Sequence, residues 1–441
     1  MLNKIHLLLL LLLGITMAFS GCLVPQNPYT GLPPGVWRAV LRLDPMMSAP
    51  RGVVSENTKM QFEEVSEGDL PFTFEVKYEN DTSFYIEIIN GTERIRVDDI
   101  TIGRDRSTAK DTIIINFPVF DSYIRGIWQE NIIEGEWIVN NRENYHVPFV
   151  AKQGENYRFT TMQKKPVMDV SGKWEVTFEE DSSKAIGEFK QKGNYLTGTF
   201  MTETGDHRFL EGTVQANKLY LSAFDGSHAY LFEAKILPDS TLIGVWHSGT
   251  HYKTTWTARR NAAFQLSDAN SLTYLKPGYK NFDFAFKNSD GQTISLNDNR
   301  YKGKVKIVQI LGTWCPNCRD ETEFLLDYRK KNPDVPFEVI GLAFERHHDK
   351  EKAMEAIQRY KRFFNIDYEI LLAGNSDDKD KASQALPMLN RVISFPTMII
   401  IDQHNQVQEI HTGFSGPATS GYEPFKREFD TFMRQLVAKN S

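Results

Sequence analysis

Two cysteines separated by two residues, Cys315 and Cys318 in "LGTWCPNCRD", carry the clearest chemistry in the sequence. The spacing admits three uses: a redox couple, half of a metal site, or a structural staple. One further cysteine exists among 441 residues, Cys22 in "MAFSGCLVPQ". A closed zinc site wants four ligands, and neither a second C-x-x-C nor histidines at ligand spacing accompany the pair. His347 and His348 are adjacent residues after a strand end, a setting that suits solvated side chains. A chain that uses cysteine so sparingly is not stapling a small fold together. The redox couple is the expected chemistry, with no metal and no cofactor.

The flanking elements must make one thiol reactive. "KVKIVQIL" (Lys304 to Leu311) is a compact apolar run suited to a central strand, and Asp320 to Lys331 has helical spacing. This order puts Cys315 at a helix N-terminus, where free N–H groups and the helix dipole stabilise a thiolate. Pro316 suits the first turn, where no donor is needed. Cys318, one turn on, lies further inside. An exposed attacking thiol and a protected resolving thiol are what disulfide exchange requires. Further strands at "FEVIGLAF", "TMIIID" and "VQEIHTG", and helices at "DKEKAMEAIQRYKRFF" and "PFKREFDTFMRQLVAK", predict an α/β domain with a mixed sheet over residues 275–441.

Upstream, "FTFEVKY", "KWEVTF" and "AYLFEAKI" are short alternating strands parted by Gly, Asn and Asp turns. They predict an all-β domain over 35–265, a barrel or a sandwich, so the chain is multidomain. "FDS" at Phe120, "GEW" at Gly135 and "YHVPFVAK" at Tyr145 recur as "FDGS" at Phe224, "GVW" at Gly244 and "YKTTWTAR" at Tyr252. Their offsets of 104, 109 and 107 residues suggest a duplication of 35–152 in 172–260, with chance recurrence of strand motifs as the alternative. Trp37, Trp137, Trp174 and Trp246 read as core residues. His207, His228, His247 and His251 read as solvated or internally satisfied.

The first residues differ from the rest. Lys4 and His6 precede Leu7 to Leu13, an apolar run too short to span a bilayer, which predicts an export signal over 1–21. Ser20, Gly21 and Cys22 resemble the lipobox of bacterial lipoproteins, which implies a lipid on Cys22 and a membrane anchor. The Pro-rich stretch 22–34 then reads as a stiff tether. A net charge of −6 gives no case for nucleic acid.

"TWCPNC" (Thr313 to Cys318) and "SFPTMIIID" (Ser394 to Asp402) together resemble the TlpA/ResA-like thiol–disulfide oxidoreductases, from about Asn281 to the C-terminus. The resemblance implies a thioredoxin fold with a cis Phe395–Pro396 bond facing the cysteines. Trp314, Pro316, Phe395 and Pro396 would shape the docking surface, leaving backbone near Ser394 and Phe395 free for substrate. Gln309 stands where thioredoxins have a buried aspartate, and an amide moves no proton. Glu345 in "LAFERHH" is the nearest match to a glutamate used instead by some members, a solvated loop carboxylate being the alternative. The implied function is a lipid-anchored, periplasm-facing reductase of disulfide-containing exported proteins, recharged by a membrane electron donor. An adaptor lipoprotein whose thioredoxin domain only docks partners is the second reading. A peroxidatic site would want threonine where Gly312 stands.

Overall fold

The computed structural model describes residues 30–43 and 68–438. The export signal, Cys22 and the first part of the tether lie outside the described residues. Among the described residues, no helix is long and apolar enough to cross a membrane.

The first sheet has nine antiparallel strands. They are β1 (Gly35–Arg42), β2 (Asp69–Asn80), β3 (Ser83–Asn90), β4 (Glu93–Val97) and β5 (Ile100–Asp105), then β6 (Lys110–Phe117), β7 (Ser122–Gln129), β8 (Ile132–Val139) and β9 (His146–Gln153). Alternation sets their faces. In β2, Phe72, Phe74 and Val76 are buried, while Lys77 lies outside and pairs with Glu87 of β3. The order β4-β3-β2-β1-β9-β8-β7-β6-β5 leaves the sheet open, a half-barrel.

The second sheet closes. It comprises β10 (Gly172–Phe178), β11 (Lys184–Lys192), β12 (Tyr195–Thr202), β13 (Gly205–Asp206) and β14 (Leu210–Gln215), then β15 (Lys218–Phe224), β16 (Ala229–Ile236), β17 (Leu242–Ser248) and β18 (Tyr252–Arg260). Pairing of β11 with β12 completes an eight-stranded barrel, with the two-residue β13 beside β12. Eight strands leave an interior just wide enough for side chains. Trp174, Phe189, Phe200, Phe232 and Trp256 fill it, with Phe200 and Phe232 stacked at 4.1 Å. In both sheets the first strand pairs with the last, β1 with β9 and β10 with β18. In both, the indole of the first strand's tryptophan donates to a carbonyl four residues back, Trp37 to Pro33 and Trp174 to Val170.

The C-terminal domain is a seven-stranded mixed sheet. Its strands are β19 (Ala285–Lys287), β20 (Thr293–Ser295), β21 (Lys306–Leu311), β22 (Glu338–Glu345), β23 (Glu369–Asn375), β24 (Thr397–Ile401) and β25 (Val407–Thr412). β21, buried along its whole length, runs parallel to β22 and antiparallel to β24. The helices are α1 (Pro316–Lys331), α2 (Lys350–Phe364), α3 (Lys379–Ala385) and α4 (Tyr422–Ala438). α1 begins four residues earlier than its apolar spacing suggested, because Pro316 supplies the first turn, and it ends with Asn332 before Pro333. Arg329, Lys330 and Lys331 in the last turn suit the dipole. α3 is too short to have left a periodic trace.

Contacts centred on Phe224, Arg158 and Arg208 are among those that weld these bodies. Phe224, at the end of β15, leaves the barrel and packs on Phe72 and Trp137 of the first sheet at 4.5 and 5.1 Å. Arg158, in the connection between the sheets, donates to Ser222 and Glu211 of the barrel and to Ile89 and Asn90 of β3. Arg208 of the barrel, 5% exposed, pairs with Glu93 of β4 and with Asp320 of α1. Its Nε also lies 3.9 Å from Asp225. Removing one partner of a buried ion cluster strands the others. Arg208→Met is expected to destabilise the protein by about 3–5 kcal/mol, read as a lower thermal midpoint.

Candidate active site

The end of β21 delivers the reactive loop. Cys315 caps α1, its Sγ accepting the Cys318 N–H at 3.2 Å, and its own thiol lies 3.3 Å from the Phe395 carbonyl. Both cysteines are free thiols. The Phe395–Pro396 peptide is cis. The Trp314 indole donates to the Phe344 carbonyl at 3.0 Å, meets Phe395 edge-on, and has the Arg346 guanidinium 4.0 Å over its face. Thus β21, β22 and the loop before β24 converge on one sulfur.

Cys318 is fully buried. Burial pushes its thiol well above the ordinary range, and the hydrogen bond and charge of Cys315 and the charge of Glu321 push the same way. Gln309 does not face the sulfur as an acid. Its amide donates to the Cys318 carbonyl at 3.2 Å and accepts from Thr322, which in turn accepts from Tyr360.

Two carboxyl groups lie beneath the loop. Glu345 accepts from the Thr313 N–H at 3.0 Å and the Thr313 hydroxyl at 2.8 Å, so it braces the segment before Cys315. Burial raises it to about 7. Glu321, three residues after Cys318 on α1, is wholly buried, and neither carboxyl oxygen has a hydrogen-bond partner. Burial raises it to about 8, the adjacent Gln309 amide offsetting this only in part. Helical spacing puts positions three apart on one face, so Glu321 shares the face of Cys318. That spacing was the available signal, but "RDETE" reads as a solvated charge run.

The expectation of an exposed attacking thiol needs correction. Cys315 is only 6% exposed, because the barrel covers it. Ser227 donates to the Trp314 carbonyl at 3.2 Å, Asn317 donates to the Asp206 carbonyl at 3.3 Å, and Ser394 donates to the Thr204 carbonyl at 3.0 Å. Gly205, at φ +145°, permits the approach, since a Cβ there would lie 1.9 Å from Asn317 Nδ2. The Phe395 carbonyl and the Ser394 hydroxyl, expected near free backbone, are already engaged. What remains above Cys315 is a cavity of about 200 Å3 between barrel and loop, lined on the barrel side by Thr204, His228 and Tyr230. No feature of the local sequence marked those three residues.

A dithiol at a helix N-terminus facing a cis-proline on this fold defines the thioredoxin-fold thiol–disulfide oxidoreductase class. Residues 276–423 match the Redoxin family model. Thioredoxin-like protein YneN of Bacillus subtilis is 26% identical over 139 residues, which cover 32% of this chain and 73% of that protein. Thiol-disulfide oxidoreductase ResA of Bacillus thuringiensis is 25% identical over 129 residues, 29% of this chain and 65% of that protein, so the match falls just short of two thirds of ResA. A solved structure described as a putative thiol:disulfide interchange protein DsbE, from Chlorobium tepidum, aligns over 37% of this chain and 99% of its own, at 20% identity and TM-score 0.28. The C-terminal region is a TlpA/ResA-like, thioredoxin-fold domain, and the two β-sheets precede it.

The buried acid has a measurable signature. Glu321 is raised from 4.5 to about 8, so the folded chain keeps a proton that the unfolded chain loses above 4.5. Stability therefore falls as pH rises from about 4.5 to about 8, and Glu345 adds to the decline up to about 7. In Glu321→Gln the denaturation midpoint is expected to change less between those pH values than in the wild type.

Proposed function

We propose that the protein is a thiol–disulfide oxidoreductase that reduces disulfides of exported proteins through Cys315 and Cys318. The observation that carries this reading is the asymmetric dithiol. Cys315 caps a helix and opens on a cavity, whereas Cys318 is sealed on the helix face it shares with the buried Glu321.

The Cys315 thiolate attacks one sulfur of the substrate disulfide, forms a mixed disulfide, and expels the other sulfur as a thiolate that solvent protonates. Glu321, in its ionised form, then takes the Cys318 proton, and the Cys318 thiolate attacks the Cys315 sulfur. The second substrate sulfur leaves as a thiolate that solvent protonates, two electrons have passed to the substrate, and Cys315–Cys318 is a disulfide. Glu321 is the proton acceptor because it lies three residues from Cys318 on the same buried helix face, and a carboxyl poised near neutrality exchanges protons at little cost. Glu345, bonded to Thr313, holds the loop. Trp314, Pro316 and Phe395 border the cavity on the loop side, and Pro396 places the Phe395 carbonyl against Cys315. A lipid on Cys22, a periplasm-facing location and a membrane electron donor that restores the dithiol complete the reading. They rest on the export-like N-terminus and the lipobox resemblance.

The enclosure of Cys315 favours one second reading, an adaptor whose thioredoxin domain holds a partner without turnover. Insulin reduction with an external dithiol separates the two. Wild type is expected to turn over, Cys315→Ser to lose roughly a thousandfold or more, and Glu321→Gln to slow resolution about a hundredfold. Absence of turnover in the wild type would favour the adaptor.

A further inference from the structure

The barrel does more than sit beside the thiols. Its β12–β14 segment and its β15–β16 turn touch the loop at Trp314, Asn317 and Ser394, while Asp206 accepts the Gly416 N–H at 2.6 Å. These contacts are built to stay. Asp225 Oδ1 accepts both the Ser227 and His228 N–H groups at 2.8 and 2.6 Å, fixing the turn that carries His228. His228 then stacks on Tyr230 with ring centroids 4.6 Å apart, and its Nδ1 lies 3.6 Å from Asp225 Oδ2. Tyr230 is close enough for the Cys315 charge to act on it.

Size decides what can enter. A folded partner docking on a flat face needs about 800 Å2 from each side, and the face around Cys315 is already occupied by the barrel. Pockets for drug-sized ligands run to about 300–1,000 Å3. At about 200 Å3, this cavity suits one side chain and the atoms next to it.

We infer that the closed barrel is a permanent wall of the catalytic cavity, and that Thr204, His228 and Tyr230 select a disulfide borne by a slender, locally extended polypeptide segment over one on a folded surface. The inference rests on the oxidoreductase reading and narrows its substrate. The electron bookkeeping is unchanged: a substrate cysteine side chain enters, its disulfide sulfur bonds to Cys315, and its former partner leaves as a thiol.

The test presents one mixed disulfide of cysteine with glutathione in two settings, on a short flexible peptide and on the surface of a folded protein. Full-length reduced protein is expected to show a kcat/KM about tenfold or more higher for the peptide, within the range that steric pocket selection achieves. His228→Ala, which leaves the Asp225 backbone bonds in place, is expected to lower that ratio by admitting bulk. His228→Trp is expected to raise it. A variant that is merely damaged slows both substrates alike and leaves the ratio unchanged, which would count against a selecting role for His228. As a check needing no variant, Cys315 in the folded dithiol should react with iodoacetamide far faster than with a polymer-linked maleimide, a difference that denaturation abolishes. Equal turnover of the two settings by the wild type overturns the cavity selection and leaves the oxidoreductase standing. If the wild type reduces neither, although dithiothreitol interconverts its dithiol and disulfide, the oxidoreductase reading fails and takes this inference with it.

Discussion

Everything around the thiols depends on one buried cation. Arg208 is almost wholly buried yet answers Glu93 from the first sheet, Asp320 from the helix that carries the cysteines, and Asp225 from its own barrel. Such a cluster repays little of its desolvation as net stability, since well-packed apolar groups would often do as well. Its value lies in geometry. A planar guanidinium accepts few arrangements of carboxylates, so satisfying all of them leaves little freedom for the barrel to shift over the loop. Phe224 and Arg158 fasten the barrel to the first sheet in the same rigid way.

Below the loop the problem is protons instead of position. A dithiol that ends as a disulfide must shed a proton from a sulfur that water cannot reach. With Gln309 bound to the Cys318 carbonyl, the strand offers no acid. In the proposed mechanism the helix supplies the acceptor, Glu321, whose burial raises it to about 8 so that its ionised fraction near neutrality takes the proton. Glu345, equally buried, has its oxygens spent on Thr313. Two acids of similar burial thus differ in their hydrogen bonding.

Local features of the sequence were readable because local physics sets them. A buried strand, a cysteine and a proline in succession determine a helix cap wherever they occur, and strand alternation likewise gave the all-β region its class. Features set by distant residues were not readable. Glu321 has the same letters around it as any exposed helix face, and only packing against β21 removes its water. Cys315 was expected to be exposed because nothing near it in sequence covers it; the cover comes from Thr204 and His228, about a hundred residues earlier. His228 looked like a turn histidine, and it is one. What the turn faces could not be known.

One consequence follows from the enclosure of Cys318. A sulfur with no exposed surface cannot be approached from its own side, and Cys315 opens on the cavity beneath the barrel. Whatever oxidises the pair and whatever restores it must therefore pass through the same doorway, one after the other. On the proposed function the site would work as a turnstile: the two visitors would never meet, and each would compete with the other for entry.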